Sequence, residues 1–293
     1  MKSLPLFLCL FPFLHSHSRA AIALSSSATE WVSVGARFDY LDDQQTGAKA
    51  GDIVGDGPNS GFLTSFDPVS DASHTDGLLS FRVRLDASGG NANNPQFDRV
   101  LWVGIDADTN GSIDAFVGVN RSGSSNILGI YAPGSGANTS PSTTSISSTP
   151  YYSEPLSSLN YDYRAVGAGD GGTTIDLTSA TSGDVDWYVS FRVPFGSVTA
   201  FLDTPEVGIH ITDQSSLRYI TATSTQANSL NQDLGGVLGG VNSSTAWADL
   251  GGFTAIMDAS GTPAPVPEPG PLALAGLLTL AAGHRRQRSG RRV

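Results

Sequence analysis

The 293-residue chain carries sixteen basic and twenty-seven acidic residues, a formal net charge of −11. That balance repels nucleic-acid phosphates and excludes nucleic acid as a partner. Cys9 is the only cysteine, so neither an intramolecular disulfide nor dithiol chemistry is available.

In chain order, Lys2 precedes an apolar stretch over residues 4–14 and a polar stretch ending in Ala21-Ile22-Ala23. A basic start, a short apolar run and small residues at the third and first positions before a cut are the parts of a secretory signal peptide. Residues 1–23 are therefore expected to be a removable leader, cut after Ala23, with Ala20 and Ala28 as alternative positions. Cys9 would leave with it.

Residues 24–257 read as one all-β domain. Residues 24–262 keep nine basic and twenty-six acidic residues, a charge of −17, which favours solubility and attracts divalent cations. In residues 79–85, Leu79, Phe81, Val83 and Leu85 alternate with Ser80, Arg82 and Arg84; in 185–193, Val185, Trp187, Val189, Phe191 and Val193 alternate with polar residues and Tyr188. Each run predicts a strand with one face on a core, Trp187 included, and the other toward water. Further strands are expected at 31–40, 100–105, 113–119, 127–131, 173–177, 198–202, 207–212, 217–221 and 253–257. Many short strands between Gly/Asn/Asp turns predict an antiparallel β-sandwich of jelly-roll type. Residues 224–234, with a Ser start and Gly235 beyond the end, predict the only helix of the domain. Residues 132–150 are low-complexity and bury no core, reading as a long loop with a linker between two halves as the alternative; residues 258–265 read as a Pro-rich spacer.

The strongest internal motif is Asp106-Ala107-Asp108-Thr109-Asn110-Gly111-Ser112-Ile113-Asp114. Alternating acids converge on one point when a glycine permits the sharp turn, and calcium takes six to eight such oxygens. By analogy with EF-hand loops, Asp106, Asp108 and Asn110 would give side-chain oxygens, Ser112 its carbonyl and Asp114 a direct or water-mediated ligand. Val117 stands where an EF-hand has a bidentate Glu, and the flanks are strands; the competing reading is a hairpin turn. Asp39, Asp42, Asp43, Asp52 and Asp56 form a second acidic cluster, read as a solvated loop with a metal site as the alternative.

Gly167 to Gly172 fits GxGxxG, but a strand-like run follows it and leaves no helix N-terminus for a pyrophosphate. His74 and His210 are the only histidines of the domain, and no GxSxG or HExxH occurs, so a non-catalytic protein is expected. Asp184, Asp186 and Glu206 are the carboxylates a glycoside hydrolase would draw on. Tyr151, Tyr152, Tyr161 and Tyr163 are the foremost candidates for stacking on sugars, with Trp31, Trp102, Tyr131, Tyr188 and Trp247 as further aromatics.

The tail has three parts in order: Val266-Pro267-Glu268-Pro269-Gly270, an apolar run over 271–283, and a basic end with Arg285, Arg286 and Arg288 followed by Arg291 and Arg292. The run is shorter than the roughly 20 residues a spanning helix needs, and the arginines would stay cytoplasmic. Residues 266–293 resemble the PEP-CTERM sorting signal of Gram-negative bacteria that make extracellular polysaccharide, with a longer and more spread basic end. The resemblance implies an exosortase-type membrane protease as partner, with processing near the motif. It also implies transient anchoring in the inner membrane and delivery to the cell surface or matrix, among extracellular polysaccharide. Separately, LDDQQTGAKAGDIVGDG, LLSFRVRL and VLWVGIDADTNG resemble in order β-sandwich modules related to carbohydrate-binding family 9. The expected function is an exported, non-catalytic surface or matrix protein; the alternatives are a calcium-dependent carbohydrate-binding module and, further off, an extracellular glycoside hydrolase.

Overall fold

The computed structural model describes residues 21–35, 39, 43, 48–68, 74–91, 93–170, 184–237 and 245–264. Most of the expected leader, the strand expected at 173–177 and the entire sorting signal lie outside the described residues. The chain divides into two compact units, Met1–Thr262 and Pro263–Val293, and all the described strands and helices belong to the first.

Strands make up 38% of the described residues and helices 11%, a mostly β content that agrees with the all-β class. In chain order the strands are β1 (Val32–Gly35), β2 (Phe62–Asp67), β3 (Leu78–Leu85), β4 (Gly89–Asn91), β5 (Asn94–Gln96), β6 (Val100–Asp106) and β7 (Ala115–Asn120). They continue with β8 (Ile127–Tyr131), β9 (Tyr152–Pro155), β10 (Tyr161–Ala165), β11 (Trp187–Pro194), β12 (Arg218–Ser224) and β13 (Asp233–Leu234); the helices are α1 (Phe195–Leu202) and α2 (Trp247–Leu250). One sheet has the order β1-β2-β3-β11-β10, a second β13-β12-β6-β7-β8-β9, and β4 and β5 form a separate hairpin. Every pairing is antiparallel.

The predicted apolar faces of β3 and β11 meet the second sheet. Phe81 and Val83 on β3 and Val189 and Phe191 on β11 share one buried cluster with Leu101, Val103, Val117, Leu128 and Tyr219. Phe81 meets Tyr219 edge-on with ring centroids 5.3 Å apart, and Phe62 meets the same ring at 6.4 Å. The other face of the second sheet is covered as well: Trp102, Phe116 and Ile220 pack with Ile146, Leu230, Val237 and Trp247. Gly118 makes room there, because a Cβ at that position would lie 2.6 Å from the Trp102 ring.

Several expectations are corrected. Residues 198–202 belong to α1, not a strand, since a short apolar run between loops has no periodicity to separate the two. Residues 224–234 are not a helix: the Asn231 side-chain oxygen accepts from Ser224 Oγ and Thr225 N, holding a turn between β12 and β13. Side chains of this kind compete with helical backbone bonds. Residues 207–212 and 253–257 form no strand, although Leu217 and Met257 make an isolated bridge. The 132–150 segment contributes buried residues despite its composition: Ile146 enters the second cluster, and Trp247 donates its indole N–H to Ala137 O at 2.8 Å.

The main correction concerns Arg82 and Arg84. Their alternation predicts solvent, yet both are fully buried. Arg82 donates to Ser190 Oγ and to the carbonyls of Ser26 and Leu24. Its guanidinium lies 4.2 Å over Trp31 and 4.9 Å over Tyr188. Arg192 donates to Ile22 O at 2.6 Å and Arg164 to Ser26 O at 2.8 Å. The outer face of the first sheet is thus roofed by residues 22–31, whose carbonyls satisfy arginines that water would otherwise solvate. Burial, with Arg164 nearby, pulls Arg82 down to about 10, still charged at neutral pH. Burial also works against the Asp170 carboxylate. Arg164 and the N–H groups of Ala28 and Gly167 outweigh it and hold that group well below the usual carboxylate range.

Arg84 and Asp186 pair at 2.5 Å with both side chains inaccessible. Removing one member strands a buried charge. Arg84→Met is therefore expected to cost about 3–5 kcal/mol in urea unfolding, and the Arg84→Met/Asp186→Leu double variant is expected to recover most of it. Additive losses in that double-mutant cycle would contradict the pairing.

Candidate functional site

The DxDxNGxxD segment is the hairpin between β6 and β7. Asp106 ends β6, Asp114 precedes β7, and Gly111 takes φ 92° at the turn, a conformation suited to glycine. Thr109 is held at φ 61°, unusual for a β-branched residue. One carboxylate oxygen from each of Asp106, Asp108 and Asp114 lies within 4.8 Å of the others, so the structure brings together the three acids singled out by spacing. Asp106 accepts from the N–H groups of Asn110 and Gly111 and is paired with Arg218 at 2.6 Å. Asn110 turns its oxygen to Ser112 N–H, at 2.7 Å, and its amide to Asp108. Asp114 accepts from Ala107 N–H; burial pushes its carboxyl up to about 6 despite that bond, and Asp108 and Asp106 add to the rise. The loop is self-satisfied through its amides and Arg218, with its residual electrostatic stress at Asp114.

The second acidic cluster is not a solvated loop. Asp39 and Asp52 are fully buried, and one oxygen each from Asp43, Asp52 and Asp233 lies within 4.8 Å of the others. Asp42 lies outside the described residues, and Asp56 instead accepts from Asn59 in a local turn. Asp233, on β13, accepts from Ile53 N–H at 2.7 Å and from its neighbour Leu234 N–H. Sequence reading missed this residue because Ile53 and Asp233 are 180 positions apart and only the sheet order brings them together.

The tyrosines separate into different roles. Tyr151 is half exposed and its ring lies 5.2 Å from that of Phe201; Tyr152 packs partly buried against the main core. Tyr161 lies under Arg121, and Tyr163 stacks on Trp187 with centroids 4.8 Å apart and planes at 23°. Burial pushes the Tyr163 hydroxyl up to about 12. Trp31, Trp102, Tyr188 and Trp247 are buried and serve packing. Trp187 sits at the strand end and is only partly buried, contrary to the core position its alternation predicts. It lines a groove of about 450 Å³ together with Ser88, Asn91, Pro95, Asp184 and Val185.

Asp184 pairs with Lys49 at 3.2 Å and Asp186 with Arg84, while Glu206 is exposed. His74 pairs with Asp213 and His210 with Asp203, each at 3.1 Å and accessible to solvent. Among the described residues no helix is long and apolar enough to cross a membrane. Comparison with known protein families, with curated proteins and with solved structures found no match to this chain.

Proposed function

We propose that this chain is an exported, non-catalytic β-sandwich protein of the surface or extracellular matrix of a Gram-negative bacterium, sorted by an exosortase-type membrane protease. The observation that carries the reading is the ordered tail: Val266, Pro267, Glu268 and Pro269, then an apolar run too short to anchor well, then Arg285, Arg286 and Arg288. A sandwich is supported by two antiparallel sheets whose rings meet in one core. The non-catalytic reading is supported by Asp186 being committed to Arg84 and Asp184 to Lys49. Calcium, the one expected cofactor, is assigned to the hairpin loop through Asp106, Asp108 and Asp114, with Asn110 and Ser112 completing the turn.

The leader cut is refined by the roof over the first sheet. Arg192 uses the Ile22 carbonyl and Arg82 that of Leu24, so cleavage after Ala20 keeps both of these contacts. Cleavage after Ala23 loses Ile22. Mass spectrometry of the surface-located protein from the native host is expected to find an N-terminus at Ala21 and loss of residues 271–293. Intact residues 271–293 on that protein would contradict exosortase-type processing.

A calcium-dependent carbohydrate-binding module is the second reading, favoured by the groove beside Trp187. An aromatic plane backed by Tyr163 and rimmed by Asn91 and Asp184 offers stacking and hydrogen bonding to a sugar. Retention on purified matrix polysaccharide is expected to require calcium and to weaken about tenfold in Trp187→Ala. Equal retention of wild type and variant would remove this reading.

A further inference from the structure

We propose that the cavity lined by residues 21–23 is a binding site for the chain's own mature amino terminus, in which Asp67 and Glu30 hold the α-ammonium group that leader removal creates on Ala21. The inference rests on the leader cut after Ala20 and adds what the new terminus does. Ser18 and Ala20 are the small residues at the third and first positions before that cut. Hydrolysis of the Ala20–Ala21 bond leaves a carboxylate on the leader and the ammonium on Ala21.

The sheet register places the site. On the outer face of the first sheet, three rows lie side by side across β2, β3 and β11: Leu63, Arg82 and Ser190; then Ser65, Ser80 and Arg192; then Asp67, Leu78 and Pro194. The roof segment follows these rows. Leu24 gives its carbonyl to Arg82 in the first, and Ile22 gives its carbonyl to Arg192 in the second. Ile22 is also packed against the buried cluster of Leu24, Trp31, Leu63 and Tyr188, which fixes the direction of the chain. Beyond it, residues 21–23 line one cavity of about 150 Å³ with Glu30, Ser65 and Asp67.

Polarity reverses at this point. Over the first two rows arginines face the roof, and a guanidinium, with donors only, suits the carbonyl oxygens that the segment offers. In the cavity the charged side chains are carboxylates, Asp67 from the end of β2 and Glu30 from the 3₁₀ turn Ala28–Glu30. Carboxylates accept and do not donate. An uncut chain offers them one uncharged peptide N–H at Ala21, whereas a chain that starts there offers three donors and a positive charge. Arg192 approaches from β11; burial lowers its guanidinium, and the charge of Asp67 offsets part of that. Two carboxylates against one guanidinium leave a net attraction for the ammonium. The pair forms only after the cut and pins the first residue of the roof. Because the carboxylates raise the amine above its ordinary range, the contribution is whole below about pH 7.7 and fades as pH climbs through the raised value.

The test uses the chain produced with Ala21 as its first residue and Val293 as its last. Lys49 is the one lysine among residues 21–293, so reductive methylation with carbon-13 formaldehyde labels two amines, and NMR follows both through a pH titration. The Ala21 amine is expected to titrate about half a pH unit or more above its value in the same chain unfolded in urea. Asp67→Asn plus Glu30→Gln is expected to bring the folded value level with the urea value or below it, since Arg192 then faces the amine alone. The Lys49 signal, set by Asp184 and Asp86, stays unchanged in that variant if it is folded. A wild-type amine that titrates at or below its urea value overturns the capture and leaves the leader cut standing, as does a raised value that persists in the folded double variant. A native terminus other than Ala21 in mass spectrometry overturns the cut itself, and the capture with it.

Discussion

Arg82 and Arg84 stand on β3, on the face turned away from the main core, and both are sealed from water. A guanidinium has five N–H donors and no acceptor, so the chain must bring oxygen to that face or leave several donors unmet. Residues 22–31 do so with the carbonyls of Leu24 and Ser26, while Asp186 answers Arg84. Trp31 and Tyr188 give the charge an aromatic surface to lie on. The path of the N-terminal segment, the burial of both faces of the sheet and the position of Asp170 all follow from this need.

The same need shapes the charge of the exterior. Of the nine basic residues in 24–262, Arg82, Arg84, Arg164, Arg192 and Arg218 are committed to partners within the fold. Few cations remain to balance twenty-six acids. The two acidic centres meet this differently. At the hairpin, Arg218 and backbone amides already serve Asp106, so an added ion would be a modest refinement. At the second centre, the Gly236 N–H works for Asp39 against burial and the charges of Asp233, Asp43 and Asp52.

The periodicity of residues 79–85 and 185–193 was enough to place β3 and β11 and their inward faces, because alternation is a direct consequence of strand geometry. It misjudged the outward faces, since a buried arginine and a solvated one look alike until the covering segment is known. Trp187 shows the converse: it alternates with the core residues but lies at the strand end, where the core stops. Local spacing also sufficed for Asp106, Asp108 and Asp114, which one turn gathers. It could not find Asp233, whose partners come from the opposite end of the chain. Ile146 was hidden by its Ser/Thr-rich surroundings, although a single apolar residue there is enough to pin the loop to Trp102 and Trp247.

The most direct measurement is a crystal structure of the chain grown in calcium, with anomalous scattering recorded to locate the ions. The expected result is a calcium peak bounded by the carboxylates of Asp106, Asp108 and Asp114, with the arginines of the first sheet holding the carbonyls of residues 22–26. No anomalous peak between those three acids, or first-sheet arginines turned to water instead of to those carbonyls, would contradict it.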